Sequence, residues 1–86
     1  MQISFSNKFK KQYKKLPNYI RDKFDQKLLI FSENKNDLIL DNHKLHGKFK
    51  NFKSIDITGD IRAIYEEIDK NSMHFVSIGS HSKLYS

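Results

Sequence analysis

The stretch "FKSIDITGDIRAIYEEIDKNSMHFVSIGS", residues 52–80, decides the fold. Apolar and polar side chains alternate with a period of two over 52–57, 61–68 and 73–78. These runs are rich in Ile, Phe and Tyr, which suit a pleated, half-buried surface. Thr58-Gly59 separates the first two as an X-Gly link suited to a tight hairpin, and residues 69–72 supply a second turn. With Thr58 and Gly59 as the whole loop, Ile55 lies opposite Arg62 and Asp56 opposite Ile61. On that pairing neither face is cleanly apolar, so either a bulge shifts the register or one face is a functional surface.

Upstream the period changes. "QISFS" (2–6) still alternates and reads as a short strand, after which Ser6 or Asn7 can cap a helix. Phe9, Tyr13 and Leu16 follow on one helical face, with Lys8, Lys10, Lys11, Lys14 and Lys15 on the other. Pro17 ends that helix and suits the first turn of the next. Ile20, Phe24, Leu28 and Phe31 then mark a second amphipathic helix that runs through about Ser32. "ENKND" (33–37) is a polar break, and "LILDNHKLHGKFKN" (38–51) is an irregular connector. The expected order is β-α-α-β-β-β. This is an α+β fold with a helical hairpin packed on one face of a small, mostly antiparallel sheet.

Eighty-six residues make one domain, 1–86, with no room for a second core. There is no Cys, hence no disulfide framework and no thiolate metal site. The N-terminus lacks the apolar region of a secretory signal and no run is long enough to span a bilayer, so a soluble, cytoplasmic protein is expected. The formal charge of +6 favours polyanionic partners. Residues 1–40 carry nine basic and four acidic side chains, against seven and six in 41–86. The lysine face of the first helix reads as a solvated face, a phosphate-contacting stripe or a dock for an acidic protein.

Walker loop, GxGxxG and nucleophile elbow are all missing from the sequence. His43 and His46 form an H-x-x-H, but the spacing misses the i, i+4 pair of a helical zinc site and no third ligand is evident, so no metal or cofactor is expected. His74, inside a strand run, reads as structural. The more suggestive set is His43, Lys53, Asp60, Arg62, His81 and Tyr85, in the connector, the strand ends and the tail. RNA cleavage by its own 2′-hydroxyl needs a base, an acid and a cation at the crowded phosphate. Imidazoles with an Asp could move the protons, Arg62 or Lys53 could balance the charge, and Tyr85 could stack on a base. On residue types alone, a scatter of surface polar groups remains the other reading.

The residues "NHKLHGKFKNFKSIDITGDIRAIYEE" (42–67) and "FVSIGSHSKLY" (75–85) carry a resemblance. An H-x-L-x-G connector, an aromatic-rich strand, an x-G-D-x-R-x-x-Y hairpin and a terminal G-x-H-x-x-L-Y occur in the order seen in RelE-superfamily toxins of bacterial type II toxin–antitoxin pairs. The likeness is closer to the YafQ-like branch and spans nearly the whole chain. It implies a metal-independent, ribosome-dependent mRNA endoribonuclease, neutralised by a cognate antitoxin. His43 matches the connector histidine, Asp60 the hairpin carboxylate, His81 the histidine near the terminus and Tyr85 the aromatic residue after it. Arg62 matches a phosphate-contacting arginine, and Lys53 lies near a position often basic. Lys10, Lys11 and Lys14 become expected contacts to ribosomal RNA. Asp56 departs from the pattern, standing where the branch has a second histidine. That keeps a second function open, a catalytically weak module that binds an antitoxin and modulates DNA binding; a generic basic RNA-binding domain is a third reading.

Overall fold

Residues 1–84 are described by a computed structural model. Strand β1 (Gln2–Phe5) leads into α1 (Asn7–Lys14), and α2 (Asn18–Glu33) follows across Pro17. The connector holds two short 3-10 turns, Leu38–Leu40 and Gly47–Phe49, on either side of β2 (His43–Lys44). Strands β3 (Phe52–Asp56), β4 (Ile61–Asp69) and β5 (Ser72–Ser80) come next, and the short helix α3 (His81–Leu84) ends the described chain. One five-stranded sheet runs in the order β1-β5-β4-β3-β2. All pairs are antiparallel except β1 with β5, which are parallel. The architecture is the expected α+β one, with β2 and α3 added to the anticipated elements.

Ser6 fastens the first helix to the sheet. Its Oγ accepts the Phe9 N–H at 3.0 Å and donates to the Val76 carbonyl at 3.0 Å. Strand β1 ends opposite Phe75, so the β5 backbone beyond that point lacks a strand on this side. Helix α1 and its cap supply the substitute: Ser6 takes the Val76 carbonyl and Gln12 Oε1 accepts the Ile78 N–H at 2.9 Å. Buried backbone groups rarely stay unpaired, and here side chains finish what the strand leaves. Ser6→Ala is expected to cost about 1–2 kcal/mol, since it removes a cap and a tertiary bond together. A lower urea midpoint with an unchanged slope checks this, and an unmoved midpoint would refute it.

The core is aromatic. Phe75 lies 5.3–5.9 Å, centroid to centroid, from the rings of Phe5, Phe9, Phe24, Phe31 and Tyr65. Both long helices meet the sheet there. Beside this cluster, Ile55, Ala63 and Ile78 align across β3, β4 and β5, each at most 1% exposed.

That row corrects the register expected from a two-residue loop. Ile55 pairs with Ala63 and Asp56 with Arg62. The turn is wider than Thr58-Gly59, because Ile57 is buried and its N–H, like that of Thr58, bonds to the Ile61 carbonyl. With this register the centre of the helix-covered face is apolar, while Asp56 and Arg62 share the opposite one. A bulge also occurs. Ile64 pairs with Ser77 but Tyr65 with Phe75, so Val76 is the extra residue and Phe75 and Ile78 both reach the core.

Candidate active site

His43 is held from both sides of the connector. The Asn42 amide donates to the Lys35 carbonyl and to the Tyr65 hydroxyl, each at 2.7 Å. Burial pushes the Tyr65 phenol up to about 12, so it stays protonated at any ordinary pH. Asp41, in the left-handed region at φ 47°, lies with its carbonyl 2.7 Å from His43 Nδ1. A carbonyl can only accept, so Nδ1 carries the hydrogen. In the neutral ring Nε2 is then the basic nitrogen. The turn after His46 uses Gly47 at φ 65°, a conformation any other side chain would strain.

The tail arrives from the other direction. Strand β5 ends with Ser80 opposite Ile61, and the His81 N–H donates to the Asp60 carbonyl at 3.1 Å. This bond seats α3 against the β3–β4 turn. Leu84 packs back over Gly79, where an added Cβ would lie 3.6 Å from Leu84 Cδ2. Arg62 stands opposite Gly79 on β4. An open groove of about 380 Å³ results, lined by His43, Lys44, Leu45, His46, Arg62 and His81. Three imidazoles, a guanidinium and an ammonium thus face one space, a setting suited to a phosphodiester and to proton transfer around it.

A profile of the family described as "Bacterial toxin of type II toxin-antitoxin system, YafQ" matches residues 1–86. The chain belongs to the YafQ toxin family. Solved structures of the same fold include YafQ from E. coli strain BL21(DE3), 21% identical, with 99% of this chain and 98% of that one covered at a TM-score of 0.75. The E. coli DinJ–YafQ toxin–antitoxin complex has a chain 21% identical, with 99% and 97% covered and a TM-score of 0.74. A YoeB/ParE toxin from Agrobacterium tumefaciens reaches 0.79 at 13% identity, with 94% and 99% covered. No curated protein sequence matches.

In this YafQ-family chain the groove gathers three of the expected site residues: His43, Arg62 and His81. Asp60 touches the site through its backbone, and its exposed side chain is not part of the groove lining. Tyr85 lies outside the described residues. Lys53 is elsewhere. Strand alternation puts it with Ile55, opposite Tyr65, on the helix-covered face. Its Nζ is 3.2 Å from Glu67 Oε1, which also accepts from Lys35 at 2.6 Å. Lys10, Lys11 and Lys14 are exposed on α1, and Lys10 and Lys14 border a separate apolar cleft with Phe5, Phe9, Tyr13, Phe24, Asp25 and Leu28. His74 bonds Ser4 across β1 and β5, with Nδ1 2.7 Å from Oγ.

His46 lines the groove as well, a residue absent from the set expected from the sequence. Its i+3 spacing from His43 was the available signal. Among the described residues no group of three or more His, Cys, Asp or Glu side chains is placed to hold a metal ion. Nor is any described helix long and apolar enough to cross a membrane.

The Lys35 and Lys53 ammonium groups hold the Glu67 carboxyl below the ordinary glutamate range. The folded chain therefore binds this proton less readily than the unfolded one. The resulting stability is present above the ordinary range, near pH 4.3, and is lost as pH falls through the depressed value. Glu67→Gln is expected to flatten the acid limb of the stability–pH curve, modestly because solvent screens the trio. Urea midpoints taken from pH 7 to pH 3 check this; parallel curves for both proteins would count against it.

Proposed function

We propose that this toxin is a metal-independent, ribosome-dependent endoribonuclease that cuts mRNA in register with codons. The observation that carries the reading is the convergence of His43, Arg62 and His81 on one groove, with the His43 tautomer set by the Asp41 carbonyl. His43 Nε2 removes the proton from a 2′-hydroxyl, and that oxygen attacks the adjacent phosphorus. The bond to the 5′-oxygen breaks, and His81 protonates the departing oxygen. The products are a 2′,3′-cyclic phosphate and a 5′-hydroxyl. Arg62, with Lys44 beside the groove, balances the charge that accumulates on the phosphate oxygens.

Asp60 holds the His81 backbone in place, and Tyr85 is assigned base stacking on its residue type and its match to the resemblance. The α1 lysines supply long-range attraction to ribosomal RNA. A cognate antitoxin with an acidic segment is the natural check on such a surface. The DinJ–YafQ complexes are the precedent for a toxin of this family held by its partner. A cytoplasmic location follows from the ribosomal target.

Purified protein added to a translating extract tests the proposal, with mRNA 5′ ends mapped before and after addition. Cuts at a fixed position within codons, which vanish when initiation is blocked, are the expected result. Ends that persist without initiation would remove the ribosome from the account. An extract with no new ends would leave an antitoxin-binding module.

A further inference from the structure

We infer that Asp56 is a positioning residue: it grips one edge of the Arg62 guanidinium and turns the remaining donors into the groove to receive an RNA phosphate. The inference rests on the nuclease reading and adds a member to its site. Asp56 and Arg62 are directly opposite on adjacent strands. Arg62 Nη1 donates to Asp56 Oδ1, and both side chains are largely screened, at 22% and 29% exposure. Arg62 lines the groove with His43 and His81, whereas Asp56 does not. On β3, between the strand of His43 and the strand of Arg62, the carboxylate meets the guanidinium without itself lining the groove.

Geometry assigns the division of labour. A guanidinium carries five N–H donors in one plane, so a single Nη1 bond leaves Nη2 and Nε available as a pair for a phosphate. An arginine without a partner spreads over many rotamers, and a displacement near 1 Å in a site of this kind can cost about 100-fold in rate. The β3–β4 ladder fixes Asp56 more firmly than a loop would, so the carboxylate is a rigid reference for the guanidinium. The position is also the one where the resemblance calls for a histidine. An imidazole there could move a proton; the carboxylate seen here is bonded to an arginine and serves it instead.

The same pairing sets a charge effect of opposite sign. Asp56 is a fixed negative charge bonded to a groove-lining cation, so removing it raises the attraction for RNA while loosening the arginine. Asp56→Asn, which keeps the shape, is therefore expected to bind a non-cleavable 2′-deoxy oligonucleotide as well as or better than the parent. It is expected to cleave programmed ribosomes about 10- to 100-fold more slowly in single turnover. In an Arg62→Ala background the Asn substitution is expected to change the rate by less than about two-fold, because residues acting as one unit are not additive. Equal losses in both backgrounds would overturn the inference, as would an unslowed Asp56→Asn protein.

A readout that needs no cleavage separates this from the nuclease reading. With 15N-labelled arginine, the Arg62 Nη signals are expected to be resolved in the parent by hindered rotation about Nε–Cζ, to shift on addition of the deoxy oligonucleotide, and to average in Asp56→Asn. Averaged Nη signals in the parent would sink the inference whatever the chain cleaves. Resolved, shifting signals in a protein that cuts no mRNA would uphold the clamp and sink the nuclease instead. Thermal melts of each variant confirm that the fold is retained.

Discussion

Replacing His81 by alanine is expected to lower codon-register cleavage by about 10²–10⁴-fold, the usual worth of one positioned acid or base. His81 lines the groove at the first position of α3, and it is exposed and outside the aromatic core. Its backbone bond to Asp60 survives the substitution, since that bond uses the main-chain N–H. A loss of cleavage with an unchanged melting temperature would assign the imidazole to chemistry. Cleavage within about two-fold of the parent would remove His81 from the mechanism, and the acid would have to be sought at His46 or in water.

The second large effect concerns the fold itself. Phe75→Ala is expected to cost about 3–5 kcal/mol, the range for truncating a fully buried aromatic side chain. Phe75 is fully buried at the centre of five ring neighbours drawn from β1, α1, α2 and β4. No other side chain replaces it, because the helices touch the sheet around it. Native stabilities are roughly 5–15 kcal/mol, and a chain this short falls toward the lower end. The variant should lose about 12–40 °C in melting temperature or fail to fold at 25 °C. Phe75→Leu should cost much less, because it refills most of the space. A cost below about 1 kcal/mol for the alanine variant would mean that the aromatic cluster is not the structural centre described above.

Much of the fold was legible along the chain. The spacing of Phe9, Tyr13 and Leu16, the break at Pro17 and the run from Ile20 to Phe31 mark the two helices that form. Three period-two runs mark the three long strands. What stayed hidden was pairing. Alternation says that a segment is a strand, yet it does not name its neighbour, so nothing in "QISF" reveals a parallel partner seventy residues away. Register was misjudged for a related reason. Thr58-Gly59 looks like a complete loop, whereas burial of Ile57 widens the turn and moves Asp56 from Ile61 to Arg62. A one-residue slip reverses which side chains share a face, which is why the Asp56–Arg62 clamp could not be anticipated.

The candidate site was half legible. His43, Arg62 and His81 could be nominated from residue type and resemblance, and these three line the groove. Lys53 was nominated on the same grounds, but strand parity carries it to the other face and to Glu67. His46 and Lys44 reach the groove through turns of the connector that no periodicity announces. The Asp41 carbonyl that sets the His43 tautomer is main chain, and no side-chain pattern can encode it.

The seam between β1 and β5 also governs when this protein can exist as a folded object. A chain made from its N-terminus presents the first strand and both long helices before residues 72–80 are available to complete them. Through that interval Phe9, Phe24 and Phe31 have no Phe75 to close upon. Strand pairing between such distant segments is slow and leaves apolar surface exposed until it occurs. His81 follows directly on the last strand, so the groove is assembled last of all. Its five cationic and imidazole contributors, His43, Lys44, His46, Arg62 and His81, meet only after the last strand has joined the sheet.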